Sequence, residues 1–230
     1  MAILCVNQIR FLYQLPLRAT QGFVHSLFLL LKVEQLVPCY TTLCRRLKKV
    51  SIEIPYTPSQ TPRVMVLDST GLKVYGEGEW KVRQHGISKR RTWRKIHLGV
   101  DANSGEILCG AVTTNDFKDS ELLESCLLQI PPQEIGAICL DGAYDTKNSY
   151  DVCMERGIKP LIPPRRGAKL WYGNSLKEPH PRDEAVRYMG KHGRRAWRLK
   201  SGYSRRSLVE TGMFRFKKTF SGHLQLRDFD

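Results

Sequence analysis

The sequence has few acidic residues for its length, no C-x-x-C cysteine pair and no long apolar run. Its 230 residues contain 22 Asp and Glu against 37 Lys and Arg, which leaves a formal net charge of +15. A charge of this size exceeds what solubility requires and favours a polyanionic partner. On charge alone, a ribosomal or merely basic soluble protein remains an alternative.

The apolar segments are too short to span a membrane. The most apolar one, residues 23–33, contains His25 and Lys32 and is far below the ~20 residues of a transmembrane helix. The N-terminus has neither the basic region nor the cleavage site of a signal peptide. The seven cysteines are an odd number without zinc spacing, so we expect reduced thiols in a cytoplasmic protein and no membrane association.

The chain divides by pattern into a helical part and an α/β part. Residues 1–50 predict short helices, the third of which carries Arg45 and Arg46. They suggest a small all-α, helix-turn-helix-like DNA-binding region, with a generic bundle bearing a solvated basic face as the open alternative. Three prolines within residues 51–62 predict a linker.

Residues 63–230 predict an α/β domain with a mixed sheet flanked by helices. The apolar runs indicate strands at 64–67, 95–100, 106–112, 135–140 and 159–162. Helices are predicted at 120–128 and from a cap at Thr146 to Gly157. Residues 165–202 show no clear period and predict an irregular, DNA-facing excursion, followed by a last helix that begins near Ser204.

Two carboxylates follow apolar strands in this pattern. Asp68 and Asp141 would project into the crevice where open α/β sheets hold ligands, and Glu210 on the last helix could join them. Three convergent carboxylates suit hard cations such as Mg²⁺, and a two-metal site suits phosphoryl transfer. Taken singly, each Asp is equally well a turn former or helix cap.

Glu210 also belongs to a spaced set of side chains. Tyr203, Arg206, Glu210 and Lys217 follow one another at steps of 3, 4 and 7 residues, which places them on one helical face. Two cationic side chains and a phenol around one carboxylate form a surface that is suited to binding a phosphate. For Glu210 with Arg206 alone, an ordinary i, i+4 surface pair is the alternative.

These residues give the chain a family resemblance. Segments 66–73, 94–101 and 140–145 and the spacing Y-x2-R-x3-E-x6-K resemble the DDE transposases of bacterial insertion sequences, in the insertion-sequence four and five superfamily. The resemblance covers most of the chain and implies an RNase H-like catalytic domain over residues 63–230.

The resemblance also implies an activity and its partners. Asp68, Asp141 and Glu210 would bind two Mg²⁺ ions, for which Mn²⁺ could substitute, while Tyr203, Arg206 and Lys217 would hold the DNA backbone. The enzyme would cut the ends of an insertion sequence and join them to target DNA. The expected partners are double-stranded DNA, with terminal inverted repeats and target, and a second copy of the chain on paired ends, at the bacterial nucleoid.

Members of the family usually extend further at both ends, so we expect the N-terminal region to be incomplete and the C-terminus short. Two other functions remain open. The chain could be an inactive or domesticated DNA-binding remnant, or a metal-dependent RNase H-like nuclease that cleaves without strand transfer.

Basic stretches predict where DNA would lie. Residues 81–95 and 185–206 carry seven and eight basic residues and no acidic one, which suits phosphate neutralisation. The predicted contacts in the first stretch are Lys89, Arg90, Arg91 and Arg94. The interleaved aromatic residues suit either base stacking or partly buried anchors of long loops, and we prefer anchors for each; they are Trp80, Trp93, Trp171, Tyr172 and Trp197. We interpret Asp145 as the N-terminal charge of the next helix.

Overall fold

A computed structural model describes residues 2–47, 49, 54–55, 57–75, 92–173 and 179–224. Its contacts divide the chain into two units. The first comprises Met1–Glu53 with Lys217–Ser221, and the second comprises Ile54–Phe216 with Gly222–Asp230.

The first unit is helical, as predicted. Its helices are α1 (Ala2–Leu12), α2 (Leu17–Leu30) and α3 (Tyr40–Leu47). One apolar residue of each helix is buried in a small shared core, namely Val6, Val24 and Leu43. Arg45 and Arg46 lie in the last turn of α3 and are exposed, because the buried face of this helix is the one that carries Leu43.

The second unit is built on a five-stranded mixed sheet. The strands are β1 (Arg63–Tyr75), β2 (Thr92–Asp101), β3 (Ile107–Thr113), β4 (Ile135–Cys139) and β5 (Lys159–Leu161). Their order is β3-β2-β1-β4-β5. The pairs β1–β2 and β2–β3 are antiparallel, whereas β1–β4 and β4–β5 are parallel. The predicted α/β class with a mixed sheet flanked by helices is thereby confirmed.

The side chains of β1 alternate between the two faces of the sheet. Met65 and Leu67 are buried in one apolar cluster, while Val66 and Leu72 are buried in the other. Successive residues of a strand point to opposite faces, so both faces of β1 are covered. This strand is longer than its predicted apolar run, because pairing with β2 continues to Tyr75.

Helices and short turns connect the strands and follow the sheet. They are a 3₁₀ turn (Asp119–Leu122), α4 (Leu123–Leu128), a 3₁₀ turn (Gly142–Tyr144), α5 (Lys147–Glu155), α6 (Pro181–Ser201), a 3₁₀ turn (Tyr203–Arg206) and α7 (Ser207–Phe220). The predicted cap of α5 is confirmed, since the Thr146 hydroxyl accepts a hydrogen bond from the Ser149 N–H.

The prediction of an irregular segment at 165–202 is wrong for its second half. Residues 181–201 form α6, whose N-terminus is capped by His180. The apolar period is hard to see because the helix bends at Gly193, where φ is 81° and ψ is 162°. The last helix also differs from the prediction, because Tyr203–Arg206 forms a separate 3₁₀ turn before α7.

All seven cysteines are free in the structure. Those in the second unit are buried and those in the first are exposed. In the part of the chain that the structure describes, no helix has both the length and the apolar character needed to cross a membrane.

Candidate functional site

The register of two neighbouring strands brings Asp68 and Asp141 to the same level of the sheet. β1 and β4 are parallel, with Val66 opposite Cys139, and each Asp lies two residues further along its chain. Because that step preserves the face of a strand, both carboxylates belong to the side of the sheet on which Val66 and Cys139 are buried. Asp141 follows the end of β4, but Asp68 lies within β1 rather than at its end.

Each of these carboxylates also shapes its local backbone. Asp141 accepts a hydrogen bond from the Ala143 N–H at 2.9 Å and caps the 3₁₀ turn at 142–144. Asp68 accepts one from the Ser69 N–H at 2.9 Å. Asp68 and Asp141 therefore each form the local hydrogen bond of a turn or cap residue, and they also lie on the same face of neighbouring strands.

The guanidinium of Arg206 lies between two predicted members of the triad. Its Nη2 is 2.7 Å from Asp68 Oδ2, and its Nη1 is 3.8 Å from Glu210 Oε1. The side chain of Asp68 is 16% exposed, whereas that of Glu210 is 64% exposed. Arg206 therefore pairs closely with the buried carboxylate and only loosely with the solvated one.

The environment of Asp68 disfavours its charged form despite the ion pair with Arg206. Burial raises the pKa of its carboxyl above the ordinary value, and Asp141 adds to this effect, against Arg206 and the Ser69 N–H. Two carboxylates side by side, one of them partly buried, are a donor set that suits a divalent cation with oxygen ligands.

The third carboxylate does not join this pair. Within the described ranges, no group of three or more His, Cys, Asp or Glu side chains is placed to hold a metal ion. Asp68 and Asp141 are the residues that would hold such a cation, and Glu210 stays a prediction as the third ligand.

A polar layer lies on the opposite side of β1. The Ser69 hydroxyl donates to Asp119 Oδ2 at 2.9 Å, and Lys95 Nζ donates to Asp119 Oδ1 at 3.0 Å. The Tyr144 hydroxyl is buried without a hydrogen-bond partner in the described structure. Burial, followed by Asp119 and Asp141, raises the pKa of this phenol. Sequence reasoning missed this layer, because residues 50 apart give no spacing signal.

The other members of the spaced set have different environments. Tyr203 is buried against Trp197, with ring centroids 5.4 Å apart, and burial raises the pKa of its phenol. Lys217 lies on α7 within the segment that belongs to the first unit. Arg94 lies in β2, where its Nη1 donates to the Trp93 carbonyl. Lys89, Arg90 and Arg91 lie outside the described residues.

The tryptophans that the structure describes pack against other residues of the protein and are largely shielded from solvent. Trp93 and Trp197 are 6% and 7% exposed. Trp171 is half-buried, with the Arg182 guanidinium carbon 4.0 Å from its ring centroid. Their burial favours packing over base stacking, but Trp93 lies in β2 and Trp197 in α6 rather than in long loops. Trp80 lies outside the described residues.

Asp145 is more than a charge for the next helix. It is buried, its Oδ1 is 2.6 Å from Arg182 Nε, and its Oδ2 accepts a hydrogen bond from the Arg165 N–H at 3.0 Å. This carboxylate therefore joins α6 to the loop after β5. The sequence could not reveal these contacts, because the partners are 37 and 20 residues away.

Asp183 fixes the same loop from the first turn of α6. Its carboxylate accepts hydrogen bonds from the backbone N–H groups of Trp171, Tyr172 and Gly173 at 2.8, 2.9 and 3.1 Å. Burial alone would raise the pKa of Asp183, but these donors outweigh burial and lower it. The loop is thus tied to α6 by charge-assisted hydrogen bonds.

Comparisons with known proteins agree with the resemblance. Two family profiles, both described as transposase DDE domain, match residues 1–77 and 59–230. Among solved structures, a chain in the cryo-EM structure of the simian T-cell lymphotropic virus intasome in complex with PP2A regulatory subunit B56 gamma is similar at 18% identity and a TM-score of 0.32. The match covers 64% of this chain and 51% of that one, so it spans about half the length of that chain. At this TM-score, the likeness does not bear on function.

Proposed function

This chain belongs to the DDE transposase family, and we propose that it cuts DNA strands at the ends of a mobile element and joins them to target DNA. The observation that carries this proposal is the convergence of Asp68 and Asp141 on neighbouring parallel strands, with Arg206 beside them. A cation-binding carboxylate pair next to a phosphate-binding arginine is what phosphoryl transfer requires.

The proposed chemistry consists of two displacements at phosphorus. In the first, water attacks a phosphodiester, the P–O3′ bond breaks, and the strand is left with a 3′-hydroxyl and a 5′-phosphate. In the second, that 3′-hydroxyl loses its proton and attacks a target phosphodiester, releasing a target 3′-hydroxyl. Divalent cations, Mg²⁺ or Mn²⁺, would supply activation of the attacking oxygen and stabilisation of the leaving oxygen.

The residues of the chain take distinct parts in this proposal. Asp68 and Asp141 hold the cations, and Glu210 completes the set as the third ligand. Tyr203, Arg206 and Lys217 hold the DNA backbone, and Tyr203 lines the same groove as Arg206. Arg206 is close enough to Asp68 to bind a phosphate that lies against the carboxylates.

The remaining sequence predictions belong to the same proposal. The helical unit, with exposed Arg45 and Arg46, would bind double-stranded DNA at the terminal inverted repeats. Two copies of the chain would act on paired ends in the bacterial cytoplasm. Residues 51–62 would serve as the linker before the catalytic domain.

The test is nicking of supercoiled plasmid with and without Mg²⁺ or Mn²⁺. We expect Asp141→Asn to abolish nicking, because the variant loses a cation ligand, while its DNA affinity stays equal or rises slightly. The matched control is Asp151→Asn, which removes the same charge from an exposed position of α5 and should nick as the wild type does.

The outcomes separate the candidate functions. Nicking without joining of a pre-cut end would favour an RNase H-like nuclease. DNA binding without nicking by the wild type would favour a DNA-binding remnant. Nicking by Asp141→Asn at the wild-type rate would refute the assigned site.

A further inference from the structure

A strongly basic groove opens next to Asp141 in the second unit. Its volume is about 460 Å³. One carboxylate and five guanidinium groups line it, from Asp141, Arg165, Arg166, Arg194, Arg198 and Arg206. Because Asp141 and Arg206 belong to the site described above, the groove is continuous with that site.

Two separate segments supply the other four arginines. Arg165 and Arg166 follow the prolines after β5, and Arg194 and Arg198 lie on α6 just past the bend at Gly193. The last two are four residues apart, so they share one face of the helix. The bend lets this part of α6 take a different direction from its first half.

Hydrogen bonds connect the two walls of the groove. Arg194 Nη2 donates to the Pro164 carbonyl at 2.6 Å, and Arg165 Nε donates to the Gly142 carbonyl at 3.4 Å. The backbone of Arg165 is held in turn by the buried carboxylate of Asp145. The groove is therefore shaped before any ligand arrives.

Four of the five guanidinium groups in the groove have no carboxylate partner in the described part of the chain, whereas Arg206 is paired with Asp68. Arg165, Arg166, Arg194 and Arg198 are exposed, and none forms an ion pair among the residues that the structure describes. These four positive charges line one groove and repel one another. An anionic ligand with several charges along its length would relieve this repulsion.

We propose that Arg165, Arg166, Arg194 and Arg198 form a track for the phosphates of the DNA strand that enters or leaves the site at Asp141. This inference rests on the proposed function, because it takes the reacting phosphate to lie at Asp68 and Asp141. Neighbouring phosphates of the same strand then lie in the groove. Guanidinium groups suit this role, because they bind phosphates bidentately.

Free nucleotide phosphates share the chemistry of a DNA strand, so the test must separate these two sources. A strand offers phosphates at regular intervals and should engage both walls at once. A nucleoside triphosphate should compete only weakly if the groove is a strand track.

The experiment measures binding of a fluorescent oligothymidine of about 20 nucleotides, longer than the ~4–16 nucleotides that a typical single-strand-binding fold covers. Dissociation constants are measured between about 50 and 200 mM salt, because each phosphate contact on a single strand contributes about −0.7 to the slope of log K against log salt. The variant is Arg166→Gln with Arg198→Gln. The control, Lys169→Gln with Arg195→Gln, removes the same charge at exposed positions that do not line the groove.

We expect the groove variant to lower the magnitude of the slope by about 1.4, for two lost contacts, and the control to leave it unchanged. Equal slopes for the groove variant and the wild type would overturn the track, even if plasmid nicking succeeds. Displacement of the oligonucleotide by equimolar nucleoside triphosphate would also overturn it, in favour of a nucleotide site. A reduced slope without any plasmid nicking would uphold the track and contradict the proposed catalysis.

Discussion

Arg206 pairs with Asp68 in the structure, and in the proposed function it also binds a phosphate of DNA. Competition between these two partners leads to a measurable prediction. In the structure, the guanidinium of Arg206 is 2.7 Å from Asp68. Any cation that binds Asp68 must share the carboxylate with it. We therefore expect Arg206→Ala to bind Mn²⁺ more tightly than the wild type in the absence of DNA.

The burial of the pair sets the size of the effect. Two unit charges 4 Å apart interact by about 4 kcal/mol at an effective dielectric constant of 20. The two side chains are 26% and 16% exposed, so the net value lies between the ~0.2–1 kcal/mol of a surface pair and the ~3–5 kcal/mol of a buried one. A coupling of about 1–3 kcal/mol corresponds to a change of ~5- to 150-fold in cation affinity.

The assay is calorimetric titration of DNA-free protein with Mn²⁺ at neutral pH. Arg205→Ala is the matched control, because it removes a neighbouring exposed arginine of the same turn. Asp68→Asn should lose the tight binding. Because coupling is reciprocal, DNA that draws Arg206 away should strengthen Mn²⁺ binding to the wild type, but not to Arg206→Ala.

A Mn²⁺ affinity that is unchanged or weaker in Arg206→Ala would refute this reasoning, since the ion pair would then not compete with the cation. The same conclusion would follow if Arg205→Ala tightened binding equally, because the effect would then come from net charge alone.

Two further predictions concern stability. Asp145→Asn should cost about 1–3 kcal/mol, because it removes the closest carboxylate from the buried Arg182 guanidinium, which keeps only Asp183 at 3.9 Å. At ~2 kcal/mol per M the urea midpoint would fall by about 1 M, and a fall no larger than that of Asp151→Asn would contradict the prediction. His97 is buried, and burial lowers its pKa, so the unfolded state binds more protons and stability should be lost as pH falls below about 6.5. Urea midpoints between pH 5 and 7.5 should show this loss, and His97→Gln should reduce the slope; an unchanged slope would assign it to other groups.

The sequence predicted the parts of this molecule that depend on local pattern. Apolar runs located all five strands of the described sheet, and the Thr146 cap was correct. The length of β1 could not be predicted, because residues 69–71 are polar or small and interrupt the apolar run, and they form a strand through their pairing with β2. Helix α6 was missed because it bends at Gly193 and is anchored by the tertiary contacts of Asp183.

The candidate site likewise has features that the sequence predicted and features that it could not predict. The sequence singled out Asp68 and Asp141 because each follows an apolar run, and parallel pairing brings them together. The Arg206–Asp68 pair joins residues 138 apart, so no spacing rule could reveal it. For the same reason, the sequence could not reveal that Asp145 and Asp183 hold the loop after β5 in place.

The position of Arg206, a member of the spaced set of side chains, also indicates what this arginine does when no DNA is bound. Without a counter-charge, Asp68 and Asp141 would repel each other in a partly buried place, and burial already raises the pKa of Asp68. Arg206 reduces that cost while leaving Glu210 3.8 Å away and mostly in solvent. A phosphate is a better partner for the guanidinium than a carboxylate that a divalent cation has taken. DNA and cation can therefore replace the Arg206–Asp68 pair together at lower cost than either could alone.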